Sequence, residues 1–129
     1  MYLRQLTEEV EAVSKLYAAK HGIERDDTWF LLKLQEEIGE LTQAFLMRSG
    51  QARSKGRSAD ELETQFRAEL ADVLCQLLVM ARHHGVDLEA EVERKWLVWN
   101  PGRSSVPSRP EASAGGTGLR AAPSDVEGT

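Results

Sequence analysis

The sequence predicts an all-α protein: a four-helix antiparallel bundle over residues 1–103, followed by a disordered tail over 104–129. Three observations predict it. Apolar residues recur at spacings of three and four through the first hundred positions. No segment shows the strict alternation of a half-buried strand. All four prolines, Pro101, Pro107, Pro110 and Pro123, fall after residue 100, so nothing interrupts the helical segments before it.

In the first segment Leu3, Leu6, Val10, Val13 and Tyr17 line one helix face, and Gly22 supplies the stop. A second helix begins near Asp26 or Asp27, either able to cap it, and carries Leu31, Leu34, Ile38, Leu41 and Phe45 until Gly50. Its connection, "SGQARSKGRS", is basic, with Arg53, Lys55 and Arg57. It reads as a solvated linker more readily than as a phosphate clamp. Ser58 then stands three residues before Glu61, the capping-box arrangement that opens a helix. The third helix carries Leu62, Phe66, Leu70, Val73, Leu77 and Met80, and Gly85 occupies the left-handed position after it. Asp87 caps a short fourth helix, "LEAEVERKWLVW", which ends by Asn100 because Pro101 cannot continue it. The remainder, rich in Ser, Gly and Ala, cannot bury enough surface to offset its ordering entropy.

A chain of 129 residues with 41% hydrophobic content suits one domain with a modest core. The net charge of -5 gives no general attraction to nucleic acid or to an anionic membrane. No stretch approaches the roughly 20 apolar residues that span a bilayer. The single cysteine, Cys75, forms no internal disulfide and packs as a small hydrophobe. A cytoplasmic protein is the expectation. Four thin helices leave apolar surface uncovered, so a homo-oligomer, a homodimer or homotetramer, is expected.

The chemistry lies in the acids. "KLQEEIGELTQAF" places Glu36, Glu37 and Glu40 within about one helical turn, where like charges repel. Glu37 sits roughly 80° round the wheel from the apolar centre, with Glu40 and Glu36 further round. Glu69 and Asp72 flank the stripe of the third helix in the same way, on the side that Gln65 and Gln76 share. An antiparallel pairing of these helices brings Glu37, Glu40, Glu69 and Asp72 to one cleft, where a cation is needed among them. Hard dications, magnesium or manganese in its place, suit an all-oxygen set. Zinc is not favoured, because His21, His83 and His84 lie at helix ends and Cys75 has no partner in sequence.

"EEIGEL" followed by "ELADVL" and then "ARHHGVDL" resembles the MazG family of all-α nucleoside triphosphate pyrophosphohydrolases, over about residues 26–100. The resemblance implies that Glu37, Glu40, Glu69 and Asp72 bind magnesium. Glu36 would then orient or deprotonate the attacking water, and the products would be a nucleoside monophosphate and pyrophosphate. Lys95 in "KWLVWNPGR" resembles the late phosphate-contacting lysine of that family, with Asn100 and Arg103 one position later than the common spacing. Lys33, one turn before Glu37, is a second phosphate candidate, although an i,i+4 pairing with Glu37 accounts for it equally. Trp29 is a candidate base platform, whereas Trp96 and Trp99 read as packing residues.

The competing expectation is a catalytically idle helical dimer, an interaction or regulatory module with leftover acids. Deleting the chain after Arg103 is expected to leave the melting temperature unchanged, as differential scanning calorimetry would read.

Overall fold

The computed structural model describes residues 2–103; the tail expectation, on 104–129, lies outside the described residues. The elements are α1 (Tyr2–His21), α2 (Asp27–Arg48), α3 (Ala59–His83), α4 (Leu88–Lys95) and a 3-10 turn at Leu97–Trp99, with no strand among the described residues. The chain divides into two compact units, Met1–Val86 and Asp87–Thr129.

The boundaries obey the local chemistry. Asp26 accepts a hydrogen bond from the Trp29 amide at 2.8 Å and starts α2. Ser58 and Glu61 exchange side-chain and backbone bonds to start α3. Asp87 accepts from the Ala90 amide and starts α4. Gly22 and Gly85 come after α1 and α3 with φ of +64° and +67°, a conformation that a side chain would strain. The fourth helix is shorter than expected: it stops at Lys95, and its apolar end tightens into the 3-10 turn. The cause is the Asn100–Pro101 pair, since Asn100 takes an extended conformation before the proline and the helix cannot be carried through it.

In the first unit, α2 packs chiefly on α3, and α1 on α3. Arg48 at the end of α2 pairs with Glu63 near the start of α3. Asp27 at the start of α2 lies 2.7 Å from His83 at the end of α3, so the two helices run antiparallel. Glu11, only 3% exposed, fastens α1: Arg25 and Arg82 both bind its carboxylate, and Arg82 also grips Glu8 at 2.8 and 3.2 Å. That grip holds the Glu8 carboxyl below its ordinary value.

The apolar stripe expected to be core is only half covered. On α2 the buried line is Phe30, Glu37, Ala44 and Met47, while Leu31, Ile38 and Phe45 stay exposed. On α3, Leu62, Leu78, Val79 and Ala81 are buried, while Leu70, Leu74 and Leu77 are exposed. On α1 the buried residues are Glu11 and Ala18, with Val13 and Tyr17 exposed. On α1 and α2 the buried line is therefore displaced by one residue, about 100° of helix, from the expected stripe, while on α3 Leu62 keeps to the stripe and Leu78, Val79 and Ala81 lie beside it. A helical wheel gives the width of an apolar arc, and only the neighbours decide which edge of it is covered.

Gly39 lies inside α2, and a Cβ placed there would meet nothing within 4 Å among the described residues. Gly39→Ala is accordingly expected to stabilise α2 by up to about 1 kcal/mol, read as a rise in melting temperature; a fall would mean that a second copy closes on that position.

Candidate metal centre

Antiparallel pairing carries the acids of α2 and α3 together at mid-length. One carboxylate oxygen each from Glu37, Glu40 and Glu69 lies within 4.8 Å of the others. Asp72, one turn beyond Glu69, adds its charge to both Glu37 and Glu69. Glu36 stands outside this group: its side chain is half exposed and pairs with Lys33 at 3.5 Å. Lys33 also reaches Glu37 at 3.9 Å and lies over the Tyr17 ring at 5.6 Å.

Glu37 is 8% exposed, and its Oε2 has no hydrogen-bond partner among the described residues; the same holds for Oε2 of Glu69 and Oε1 of Gln76. Buried polar atoms are ordinarily satisfied, and an unmet one costs roughly 1–3 kcal/mol. Burial, then the charge of Glu40, a hydrogen bond to it and the charge of Asp72, pushes Glu37 up to about 7 against the opposing effect of Lys33. Burial and the charges of Glu40 and Asp72 raise Glu69 as well. Burial, then the charge of Asp72, raises the Cys75 thiol, which disfavours its thiolate. A dication answers the orphaned oxygens and the repulsion together, and an all-carboxylate donor set fits a hard one.

Beside the acids opens a cavity of about 400 Å³, within the size range of small-molecule sites. Trp29, Lys33, Glu37 and Asp72 line it from the expected set, joined by Tyr17 and Gln76. In the sequence Tyr17 is legible only as core, because nothing in α1 says that its outer edge faces the acids. Gln76 is legible on the acidic side of α3, but its buried, unpaired carbonyl emerges only from the packing. Lys95, Asn100 and Arg103 belong to the second unit. There Lys95 ends α4, Asn100 accepts from the Gly102 amide, and Arg103 approaches Glu93 at 3.9 Å.

No family model, curated protein or solved structure matches this chain. No helix among the described residues is long and apolar enough to cross a membrane.

The raised carboxyls make folding pH-dependent in a defined direction. Glu37 binds its proton more tightly folded, at about 7, than unfolded, near 4.5, so the stabilisation is complete below 4.5 and lost as pH rises through 7. The lowered carboxyls of Glu8, Asp27 and Glu63 act oppositely and only below their ordinary values. In EDTA, urea denaturation is expected to show stability falling from pH 5 to pH 7.5. Millimolar magnesium is expected to flatten or reverse that slope.

Proposed function

We propose that this chain is a magnesium-dependent nucleoside triphosphate pyrophosphohydrolase of the MazG-like all-α type, converting NTP or dNTP to the monophosphate and pyrophosphate. The observation that carries the reading is the pair of buried, unpartnered carboxylate oxygens on Glu37 and Glu69, set with Glu40 beside an aromatic-lined cavity. Structural acids are paired, as Glu11 is; acids left unpaired in a crevice are the arrangement that metal chemistry requires.

In this reading Glu37, Glu40 and Glu69 hold the ion, with Asp72 at the edge of the group. Magnesium, or manganese in its place, supplies positive charge against the triphosphate and Lewis acidity toward water when bound. Lys33, which lines the cavity together with Glu37 and Asp72, is the cation assigned to a phosphate oxygen. Trp29 and Tyr17 offer aromatic faces to a base, and a cavity of about 400 Å³ accommodates a nucleoside. Water attacks the α-phosphorus, the bond to the bridging oxygen breaks, pyrophosphate leaves, and Glu36 takes the proton from the water. Glu36 suits that role because it adjoins the group without being buried in it, and its half-exposed carboxylate pairs with Lys33, which lines the cavity. Lys95, Asn100 and Arg103 are assigned to phosphate on the strength of the sequence resemblance.

The protomer is read as a four-helix antiparallel bundle within a homodimer or homotetramer. The support is the exposed line of Leu31, Ile38 and Phe45 on α2, and of Leu70 and Leu77 on α3, an apolar surface of the kind subunits cover.

Pyrophosphate release from a panel of ribo- and deoxyribonucleoside triphosphates tests the proposal. Magnesium-dependent release from at least one is expected, and an idle interaction module would give none. Glu36→Gln is expected to lower kcat by at least about 100-fold with magnesium affinity retained, while Glu69→Gln is expected to weaken magnesium binding itself.

A further inference from the structure

The α2–α3 pair carries a second donor set, of different chemistry, at its other end. Asp27 is the first residue of α2, His83 the last of α3, and His84 the C-cap of α3. One carboxylate oxygen of Asp27 and one ring nitrogen from each histidine lie within 4.8 Å of one another. Consecutive helical residues point about 100° apart, and still both imidazoles reach the same carboxylate.

The geometry is held from beneath. The His83 ring packs on Phe30 with centroids 4.4 Å apart, and Phe30 is 1% exposed. The His84 ring meets that of His83 edge-on, 79° between planes and 5.0 Å between centroids. Arg25, whose guanidinium lies 5.3 Å from the Phe30 ring centroid, is committed to Glu11. The Asp27 carboxylate and the C-terminal dipole of α3 favour positive charge between them, which the N-terminal dipole of α2 opposes.

This set is separate from the acidic crevice. Asp27 and Glu37 are ten residues apart on α2, about 15 Å at the helical rise. His83 and Glu69 are fourteen apart on α3, about 21 Å. The chemistry differs as well. Two imidazoles and one carboxylate suit borderline transition dications such as zinc, cobalt or nickel, whereas carboxylates with water suit magnesium. Ligand atoms around a tetrahedral zinc stand roughly 3.3 Å apart for bonds near 2.0 Å. Exposed side chains already within 4.8 Å close that gap by small rotations.

We propose that Asp27, His83 and His84 form a transition-metal site that clamps the first turn of α2 to the end of α3. The ion would take the place of the direct His83–Asp27 contact, and three protein ligands leave a fourth position for water. A helix end is a poor place for a ligand when each helix is taken alone. The fold turns that position into the qualification, since the hairpin brings one helix's end to the other's beginning.

The proposal is independent of nucleotide hydrolysis, and so is its test. The full chain, stripped with EDTA and dialysed into excess magnesium, is titrated with zinc chloride by calorimetry and with cobalt(II) by absorbance. One equivalent is expected to bind, with a rise of several degrees in melting temperature. His84→Ala and Asp27→Asn, both at exposed positions and checked for folding by circular dichroism, are each expected to weaken zinc binding by at least about tenfold, a loss that even outer-shell substitutions reach. Glu37→Gln is expected to leave it unchanged. Absence of zinc binding in excess magnesium, full affinity in the His84 and Asp27 variants, or loss of affinity in Glu37→Gln would overturn the assignment.

Discussion

Glu37 stands on the same buried line of α2 as Phe30 and Ala44, seven residues from each, where a packing hairpin ordinarily places an apolar side chain. A carboxylate at such a position loses hydration that its Oε2 regains from no hydrogen bond among the described residues, and it faces Glu40 and Glu69 with only Lys33, at 3.9 Å, as a nearby cation. The cost appears in the raised proton affinity of Glu37 and Glu69. The hairpin therefore carries a built-in deficit of positive charge at its centre. The proposed ion and the proposed chemistry are both responses to that deficit.

Glu11 supplies the contrast. Both acids are buried in the first unit, at 3% and 8% exposure. Glu11 is met by Arg25 and Arg82, so its burial ties α1 and the loop after it to α3. Glu37 receives only the distant approach of Lys33 at 3.9 Å, shared with Glu36. One acid is completed by its own chain, and the other is left incomplete beside a cavity. Stability alone would have selected the first solution twice.

Much of this is legible in the sequence because it is local. Caps and stops depend on one or two residues, and Asp26, Ser58, Gly22 and Gly85 act where their chemistry places them. The convergence of Glu37, Glu40 and Glu69 comes from helical spacing plus one antiparallel pairing. The choice between adjacent lines of one apolar arc is not legible in that way. Leu31, Ile38 and Phe45 are as hydrophobic a line as Phe30 and Ala44, and only the roll of α2 against α3 decides between them. The meeting of Asp27 with His83 is hidden for a related reason, since 56 residues separate them and only the matched lengths of α2 and α3 bring them together.

That roll has a kinetic corollary. A helix covered along one line and wetted along the next turns about its own axis at little cost, and a rotation of roughly 10° shifts a side-chain tip by about 1 Å at a radius of 5–6 Å. Cation coordination tolerates only about 0.2 Å. In the proposed oligomer a second copy that dries the outer edge would also set the angle at which α2 presents Glu37, so dilution of such an assembly would slacken the hold on the proposed ion before any helix melts.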